Sequence, residues 1–427
     1  MSDHPGRPAT FVLVSGLLRR FCALLFIGLL LGAAAFGGDE RSWVGRKIMT
    51  RKAGTWMGHT DWSGRQVYSA ELTDMVYTVL KEQEGWLYVR QRGLEDWVAK
   101  EQVLPLENAR SNFTQKIDAD ERDASALAHR GRAWREAGEP EKALTDLTEA
   151  VRLEPDNARW LSNRGLVYDD LQEFDRALRD YDEAIRLDPN DPLTYDRRGL
   201  AHKARKGYDL AIRDHGQAIR LDPKWSDAFF HRGNAHKARG AYGRAINDYG
   251  QAIRLDPKWP DPYFNRAAAH KARGAYDRAV SDYREAIRLD AQDADAYSNL
   301  AWLLATCADG RVRDGQKAVE YATRACELTS WKASYFLATL AAACAENGNF
   351  EEAEKWQTKA LESPRYAKDE GDQALQRLQL FTERKPYHEQ AEPADDPPEI
   401  DDPAENSRPS DGLFPGARSA LQRLWRW

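Results

Sequence analysis

The chain has 427 residues, with 62 Lys and Arg against 68 Asp and Glu, so its net charge at pH 7 is −6. The acidic excess is concentrated between residues 389 and 411, which leaves the rest of the chain close to neutral. This balance excludes a strongly basic protein of the kind that binds nucleic acid.

An unbroken apolar run at residues 21–36 follows two arginines near the amino end. A basic flank, an apolar core and the small residues Ala33 and Ala35 are typical of a secretory signal. The run also approaches the length that crosses a bilayer, so a retained anchor is the alternative. We therefore predict that residues 1–38 are a signal peptide or membrane anchor. The protein would then be exported across, or anchored in, the cytoplasmic membrane, in the periplasm or cell envelope.

Residues 43–104 alternate apolar and polar side chains over short stretches. Two such stretches, 76–80 and 86–89, flank Gly85, which predicts short β-strands joined by a turn. About five short strands within about 60 residues favour a small all-β barrel.

The stretch EGWLYVRQRGLEDWVAKEQV (84–103) contains a Gly-Trp strand and then a Trp-Val strand. It resembles the end of bacterial SH3-like domains, and the resemblance implies a peptide or cell-wall ligand. Trp56, Trp62 and Tyr68 are the candidate ligand residues, because aromatic side chains supply rigid apolar area. The alternative is that these rings fill the core of a very small domain.

Residues 105–123 form a charged connector without a Gly/Pro-rich linker. We expect it to begin as a helix against the barrel, so that the barrel and the next domain are held in a fixed relation.

The stretch 194–223 recurs at 228–257 and at 262–291, each copy starting 34 residues after the last. Small residues keep register at Gly199, Gly233 and Ala267. The period and these residues resemble the tetratricopeptide repeat, which implies helix-turn-helix units stacked in an α-solenoid. Weaker copies extend the array to residues 124–366, about seven repeats, and a helix at 367–384 is predicted to cap it. The fold is thus predicted to be mainly α, an α-solenoid after a small SH3-like barrel. The AHKARGAY copies also resemble tetratricopeptide proteins of planctomycete-type bacteria.

In tetratricopeptide arrays the first helix of each unit lines a concave groove that takes a partner peptide. By this resemblance, the second, fifth, ninth and twelfth places of each unit face the groove, with the sixth and thirteenth at its margin, and the groove candidates occupy the sixth and twelfth places. They are Arg135, Lys203, Lys237, Lys271, Asn163, Arg197, His231, Asn265 and Asn299. Such a ladder of donors and cations favours an acidic, carboxylate-bearing segment. The alternative is a solvated face whose lysines recur because the repeats were duplicated. Five arginines of the first helices are interpreted as structural partners of acids on adjacent helices: Arg130, Arg164, Arg198, Arg232 and Arg266.

Residues 385–412 are rich in Pro and acid and are predicted to be disordered. They could stay solvated or fold back onto the basic groove as a self-ligand. Residues 413–427 suggest a short amphipathic element that docks on a partner or membrane surface, with disorder as the alternative.

No phosphate-binding loop, dinucleotide fingerprint, zinc-protease motif or nucleophile elbow is present in the sequence. We therefore predict a non-enzyme that uses no cofactor and no metal. Cys307, Cys326 and Cys344 are interpreted as buried apolar residues. The alternative is that two of them form one disulfide. The function predicted is a scaffold or adaptor that binds a protein or peptide. The alternatives are a cell-envelope anchor that uses the barrel, and a regulatory subunit of an envelope enzyme complex.

Overall fold

The computed structural model describes residues 42, 44–51, 56–60, 66–71, 76–91 and 94–390. The predicted signal or anchor, the acidic linker beyond residue 390 and the segment 413–427 lie outside the described residues. Within the described part, antiparallel β-structure precedes an α-solenoid, so the chain is mainly helical. None of the helices in that part is both long and apolar enough to span a bilayer.

The strands lie in two antiparallel sheets. They are β1 (Lys47–Thr50), β2 (Trp56–Thr60), β3 (Gln66–Glu71), β4 (Val76–Gln83), β5 (Trp86–Gln91), β6 (Leu94–Ala99) and β7 (Val103–Pro105). One sheet has the order β6-β5-β4-β1-β7, and β2 pairs with β3 in the other. The described residues therefore hold seven strands where about five were predicted. Strands β1 and β7 have only four and three residues, too short for their alternation to be read from the sequence.

The larger sheet and the helices share a continuous core. Met49 of β1 and Leu104 of β7 are buried in one cluster with Ala109 and Phe113. These two residues belong to helix α1 (Leu106–Ala119), which begins directly after β7 and packs on the first helix of the array. This confirms that the connector begins as a helix against the β-domain.

Seven helix pairs follow α1 in the described part of the chain. The first helices are α2 (Ala124–Glu136), α4 (Ala158–Asp170), α6 (Pro192–Ala204), α8 (Ser226–Ala238), α10 (Pro260–Ala272), α12 (Ala294–Thr306) and α14 (Ser334–Glu346). The second helices are α3 (Pro140–Leu153), α5 (Phe174–Leu187), α7 (Tyr208–Leu221), α9 (Tyr242–Leu255), α11 (Tyr276–Leu289), α13 (Gly315–Leu328) and α15 (Phe350–Leu361).

A final helix, α16 (Pro364–Thr382), packs on α14 and α15 and closes the array. It begins three residues before the predicted position, 367, because Ser363 caps it and Pro364 occupies its first turn. The Ser363 side chain accepts a hydrogen bond from the backbone N–H of Tyr366, and the fixed φ of proline suits a first helical position.

The two helices of a unit approach closely at one small residue. A Cβ added to Gly165 or Gly233 would lie 2.7 Å from a ring carbon of Tyr181 or Tyr249, both of which are fully buried. Each glycine therefore lets a tyrosine ring of the second helix rest on the backbone of the first. Most successive first helices also contact one another, α10 and α12 being the exception, whereas successive second helices make at most isolated contacts. The first helices thus form the inner side of the solenoid.

This packing predicts unequal effects for two glycine substitutions in the same unit. Gly233→Ala places a methyl group against Tyr249, whereas a Cβ at Gly250 of α9 meets only the Nη1 atom of Arg266 at 3.7 Å. Both substitutions gain about 0.5–1 kcal/mol of helix propensity, but only the first overpacks the core, at a cost of about 1–3 kcal/mol. We expect Gly233→Ala to denature at a lower temperature than Gly250→Ala, as measured by circular dichroism. Equal denaturation midpoints for the two variants would contradict the close approach of the two helices at Gly233.

Candidate functional site

Three lysines form a row on the inner side of the solenoid. Lys203, Lys237 and Lys271 lie on the neighbouring first helices α6, α8 and α10, and all three side chains are half-buried. Burial lowers the pKa of Lys203 and of Lys237, and the charge of Lys203 lowers the pKa of Lys237 further. The two ammonium groups are therefore within electrostatic reach of each other, and an anion between them would relieve their repulsion.

The row makes few bonds to the rest of the array. The Nζ atom of Lys237 donates to Oδ1 of Asn265 at 2.5 Å, and Nδ2 of Asn265 donates to the carbonyl of Asp261 at 3.0 Å. Among the described residues, the ammonium group of Lys203 makes neither a hydrogen bond nor an ion pair. The structure thus brings Lys237 and Asn265 together, and neither Lys203 nor Lys237 forms an ion pair within the described part of the chain.

The third lysine holds a carboxylate from the end of the described chain. Nζ of Lys271 lies 3.0 Å from Oε1 of Glu389, and the indole Nε1–H of Trp302 donates to the same oxygen at 2.6 Å. The backbone N–H of Glu389 donates to the carbonyl of Thr306 at 2.7 Å. A cation, a neutral donor and a backbone acceptor thus fix one glutamate at the inner side of the solenoid.

Sequence reasoning did not identify Trp302 or Glu389 as site residues. Trp302 lies in the ninth place of its unit, a groove place, where the preceding units carry Arg132, Leu166, Leu200, Asn234 and Ala268. The signal in the sequence that could have identified Trp302 is that a tryptophan occupies this place in one unit alone among those compared. Glu389 gave no separate signal, because it belongs to a long acidic stretch.

Other groove candidates are engaged within the array. The guanidinium of Arg135 binds Asp170, with Nη2 at 2.9 Å from Oδ1. Nη1 of Arg197 donates to Ser162 Oγ at 3.0 Å and to Asn163 Oδ1 at 3.1 Å, in a buried position between α4 and α6. These contacts hold neighbouring first helices together. Asn299 is exposed, and its Nδ2 donates to the carbonyl of Asp295.

The remaining groove candidate, His231, belongs to a polar cluster between α6, α7 and α8. The carboxylate of Asp196 accepts from Nδ1 of His215 at 2.7 Å and from Nδ1 of His231 at 3.0 Å. Asp196 and His215 are almost fully buried, and the side chain of His231 is 23% exposed. His215 stands where other units carry Tyr181, Tyr249 and Tyr283, a departure that the 34-residue register makes visible.

The charges in this cluster stabilise one another. Burial alone would raise the pKa of Asp196, but the two imidazoles lower it well below its usual range. Burial also acts to lower the pKa of His231, but the carboxylates of Asp196 and Asp227 outweigh this and raise it, against a smaller opposing effect of Lys203. For His215 burial dominates and lowers the pKa. The expected form is an ionised Asp196 beside a protonated His231 and a neutral His215.

One carboxylate and two imidazoles are also a common donor set for transition metals. The separations of 2.7 and 3.0 Å between Asp196 and the two rings are hydrogen-bond distances, whereas two ligands of a tetrahedral zinc ion lie about 3.3 Å apart. Metal-bound histidines normally donate their second ring N–H, but Nε2 of His215 is buried without a partner. The residues present fit a hydrogen-bonded network better than a metal centre.

The five arginines interpreted as structural partners all pair with an aspartate sixteen residues later, on the second helix of the same unit. The pairs are Arg130–Asp146, Arg164–Asp180, Arg198–Asp214, Arg232–Asp248 and Arg266–Asp282, with Nε–Oδ2 distances of 2.7 to 2.9 Å. Each aspartate also accepts from a second guanidinium nitrogen. This confirms the prediction that these arginines are structural.

Of the aromatic candidates in the β-domain, Trp56 lies on β2 and Tyr68 on the paired strand β3. Trp62 lies outside the described residues. Cys307, Cys326 and Cys344 are buried and free, as their interpretation as apolar residues requires. Burial raises the pKa of Cys326 to about 12 and that of Cys344 to about 11, so both thiols stay protonated.

Stacked helix pairs with a continuous inner face define an α-solenoid scaffold. A family model described as "TPR repeat" matches residues 233–273 and 269–305, and one described as "Tetratricopeptide repeat" matches residues 130–192. The chain therefore contains tetratricopeptide repeats, which generally serve as non-catalytic scaffolds that bind protein or peptide partners. No curated protein matches the sequence.

Several solved structures are similar to part of the chain. MamA from Desulfovibrio magneticus RS-1 is 21% identical, and the match covers 40% of this chain and 96% of that one, with a TM-score of 0.37. YrrB, described as a TPR protein with an unusual peptide-binding site, is 19% identical over 44% of this chain and 96% of its own, with a TM-score of 0.37. Yeast Tom70 is 18% identical over 65% and 59%, with a TM-score of 0.44. Each is a likeness of fold alone.

The polar cluster predicts a pH-dependent contribution of His231 to stability. Because its pKa is raised on folding, the stabilisation by protonated His231 is fully present below its unfolded pKa of about 6.5 and is lost as the pH rises through the folded value. We expect His231→Gln to lower the free energy of unfolding more at pH 6 than at pH 9, as measured by urea denaturation. Asn265→Gln, at the same place of the next unit, is the control. A pH-independent difference for His231→Gln would argue against the ion pair.

Proposed function

We propose that the protein is a non-catalytic scaffold whose inner groove binds an acidic, extended segment of a partner protein. The observation that carries this proposal is the carboxylate of Glu389, which is bound by Lys271 and Trp302. A groove that holds one carboxylate in this way, beside two further lysines that form no ion pair with the described residues, has the chemistry that an acidic ligand requires.

The spacing of the row defines the ligand further. Packed helices lie about 8–10 Å apart, so neighbouring lysines of the row are separated by about one such step. A polyproline II segment has three residues per turn and rises about 3.1 Å per residue, or about 9 Å per turn. Acids at every third residue of such a segment therefore match the lysines one for one. The preferred partner carries carboxylates at positions i, i+3 and i+6 in an extended, Pro-containing stretch.

The lysine row can be tested with defined peptides. We expect the full chain to bind a fluorescent (Glu-Pro-Pro)5 peptide and not (Gln-Pro-Pro)5, as measured by fluorescence anisotropy at low salt. Combined Lys203→Glu, Lys237→Glu and Lys271→Glu substitutions reverse the charge of the row, and we expect them to weaken binding at least about tenfold, or about 1.4 kcal/mol.

A matched control changes three exposed lysines away from the row. Lys224→Glu, Lys258→Glu and Lys332→Glu alter the net charge by the same amount, in turns between units. We expect this variant to bind like the wild type, and circular dichroism checks that both variants keep their helices. Equal weakening by the two variants would show that only net charge matters and would remove the groove from the proposal.

We also propose that the protein is exported, on the basis of the apolar run at residues 21–36. Leu24→Arg and Leu30→Arg interrupt that run, because a charged side chain is costly in an apolar signal or membrane segment. We expect the wild type in the membrane or periplasmic fraction and the double variant in the cytoplasm. The wild type in the cytoplasmic fraction would contradict export.

The β-domain, as an SH3-like barrel, would serve in the envelope to bind a peptide or the cell wall. Resemblance of the stretch 84–103 to bacterial SH3-like domains supports this role. Co-sedimentation of the full chain with purified peptidoglycan, reduced by Trp56→Ala and Tyr68→Ala, is the expected result. A chain that stays in the supernatant would count against wall binding.

A further inference from the structure

The last described residues turn back from the capping helix onto the inner side of the solenoid. The ring of Tyr387 lies 6.1 Å from that of Trp302, and the guanidinium of Arg377 on α16 lies 5.5 Å from the Trp302 ring and 5.7 Å from the Tyr387 ring. Nε2 of His388 lies 2.7 Å from Oε2 of Glu346 at the end of α14. Aromatic, ionic and backbone contacts therefore hold this short stretch on the array.

These contacts show in which direction residues 387–389 run along the array. Tyr387 lies against α16 and α12, His388 against α14, and Glu389 reaches across α12 to Lys271 on α10. The chain thus moves from the last units towards earlier ones. The next first helices in that direction are α8 and α6, which carry Lys237 and Lys203.

The sequence after Glu389 matches the row in spacing and in charge. Glu392 and Asp395 follow at intervals of three residues, and Pro393, Pro397 and Pro398 favour the extended conformation. In that conformation Glu389, Glu392 and Asp395 would lie on one side, about 9 Å apart, which is close to the general spacing of about 8–10 Å between packed helices. No Lys or Arg occurs between Glu389 and Arg408, so nothing in this stretch opposes the lysines.

We infer that the acidic segment 389–396 is an intramolecular ligand of the groove, with Glu389 on Lys271, Glu392 on Lys237 and Asp395 on Lys203. This inference rests on the proposed function and adds the regulation of the same site. The row of cations ends at Lys203, because the corresponding place in the preceding unit is Asp169. The acids beyond residue 396 therefore face no continuation of the row.

Tethering makes even weak contacts effective. A half-exposed ion pair contributes only about 0.2–1 kcal/mol, but a short tether presents the segment at an effective concentration of about 1 mM. If the segment itself binds the open groove with a dissociation constant of about 100 µM, the tethered segment weakens the binding of a competing partner about tenfold. A partner must therefore bind the groove tightly enough, or be present at a high enough concentration, to displace the segment.

The test is competition between the tethered segment and the same segment supplied free. A fluorescent peptide of residues 386–402 is titrated with the full wild-type chain and with a full-length variant carrying E389Q, E392Q, D395N and D396N. We expect the variant to bind the peptide about tenfold more tightly than the wild type does. The control variant E399Q, D401N, D402N and E405Q removes the same number of charges beyond the row, and we expect it to bind within about twofold of the wild type.

The outcomes separate the two proposals. Equal affinity of the wild type and the first variant would overturn the intramolecular ligand and leave the groove as an acid-binding site. Failure of the peptide to bind either chain would overturn the proposed function itself. Equal gains for both variants would show that overall tail charge, and not the spacing of residues 389–396, governs access.

A second measurement locates the segment directly. Carbodiimide joins a lysine amine to a carboxylate in contact with it, without a spacer. In the dilute full chain we expect links from Lys237 to Glu392 and from Lys203 to Asp395 or Asp396, at a yield independent of protein concentration. Links confined to Lys271 and Glu389, or links between copies that increase with concentration, would overturn the inference.

Discussion

The close contact between the two helices of each unit is the constraint on which the rest of the structure depends. At Gly165 and Gly233 of the first helices, a tyrosine ring of the second helix packs on the backbone, as Tyr249 does on Gly233. The neighbouring bidentate pair, Arg232 with Asp248, fixes the register of the same two helices. Because these contacts lie between the helices, the inner face of each first helix is not needed for packing within the unit. That freedom is what allows a row of lysines there.

The unit of α6 and α7 meets this constraint with a polar side chain. A Cβ at Gly199 would lie 2.7 Å from the ring of His215, the same separation that Tyr181 and Tyr249 show in their units. The imidazole therefore fills the place of the tyrosine ring, and its Nδ1 binds the buried carboxylate of Asp196. That carboxylate also acts to raise the pKa of Lys203, against the larger effect of burial. The polar cluster thus helps to keep the last cation of the row charged while it replaces an apolar contact.

The 34-residue period was sufficient to predict the helix pairs, because small residues and aromatics recur at fixed places when the same packing is repeated. It also identified the lysines and the paired arginines, since both recur with the units. The sequence was less informative where the chain departs from repetition. Strands β1 and β7 are too short to show alternation, and Ser363 extends the last helix towards the amino end. The binding of Glu389 depends on Trp302 and on the return of the chain from α16, and neither belongs to the repeated pattern.

The inner side of the solenoid is not uniformly basic, and this bears on the selectivity of the proposed site. Asp169 ends the lysine row, and Asp227, Asp261 and Asp295 occupy the second place of their units, another groove place by resemblance. Burial raises the pKa of Asp169 to about 6, so this group still carries negative charge at neutral pH. A polyanion with closely spaced charges would place some of them against these acids, which costs free energy. In the proposed binding mode, a ligand whose carboxylates recur every third residue would place those carboxylates at the lysines. Under the proposed function, the spacing of the cations, more than their number, would decide which acidic segments the groove accepts.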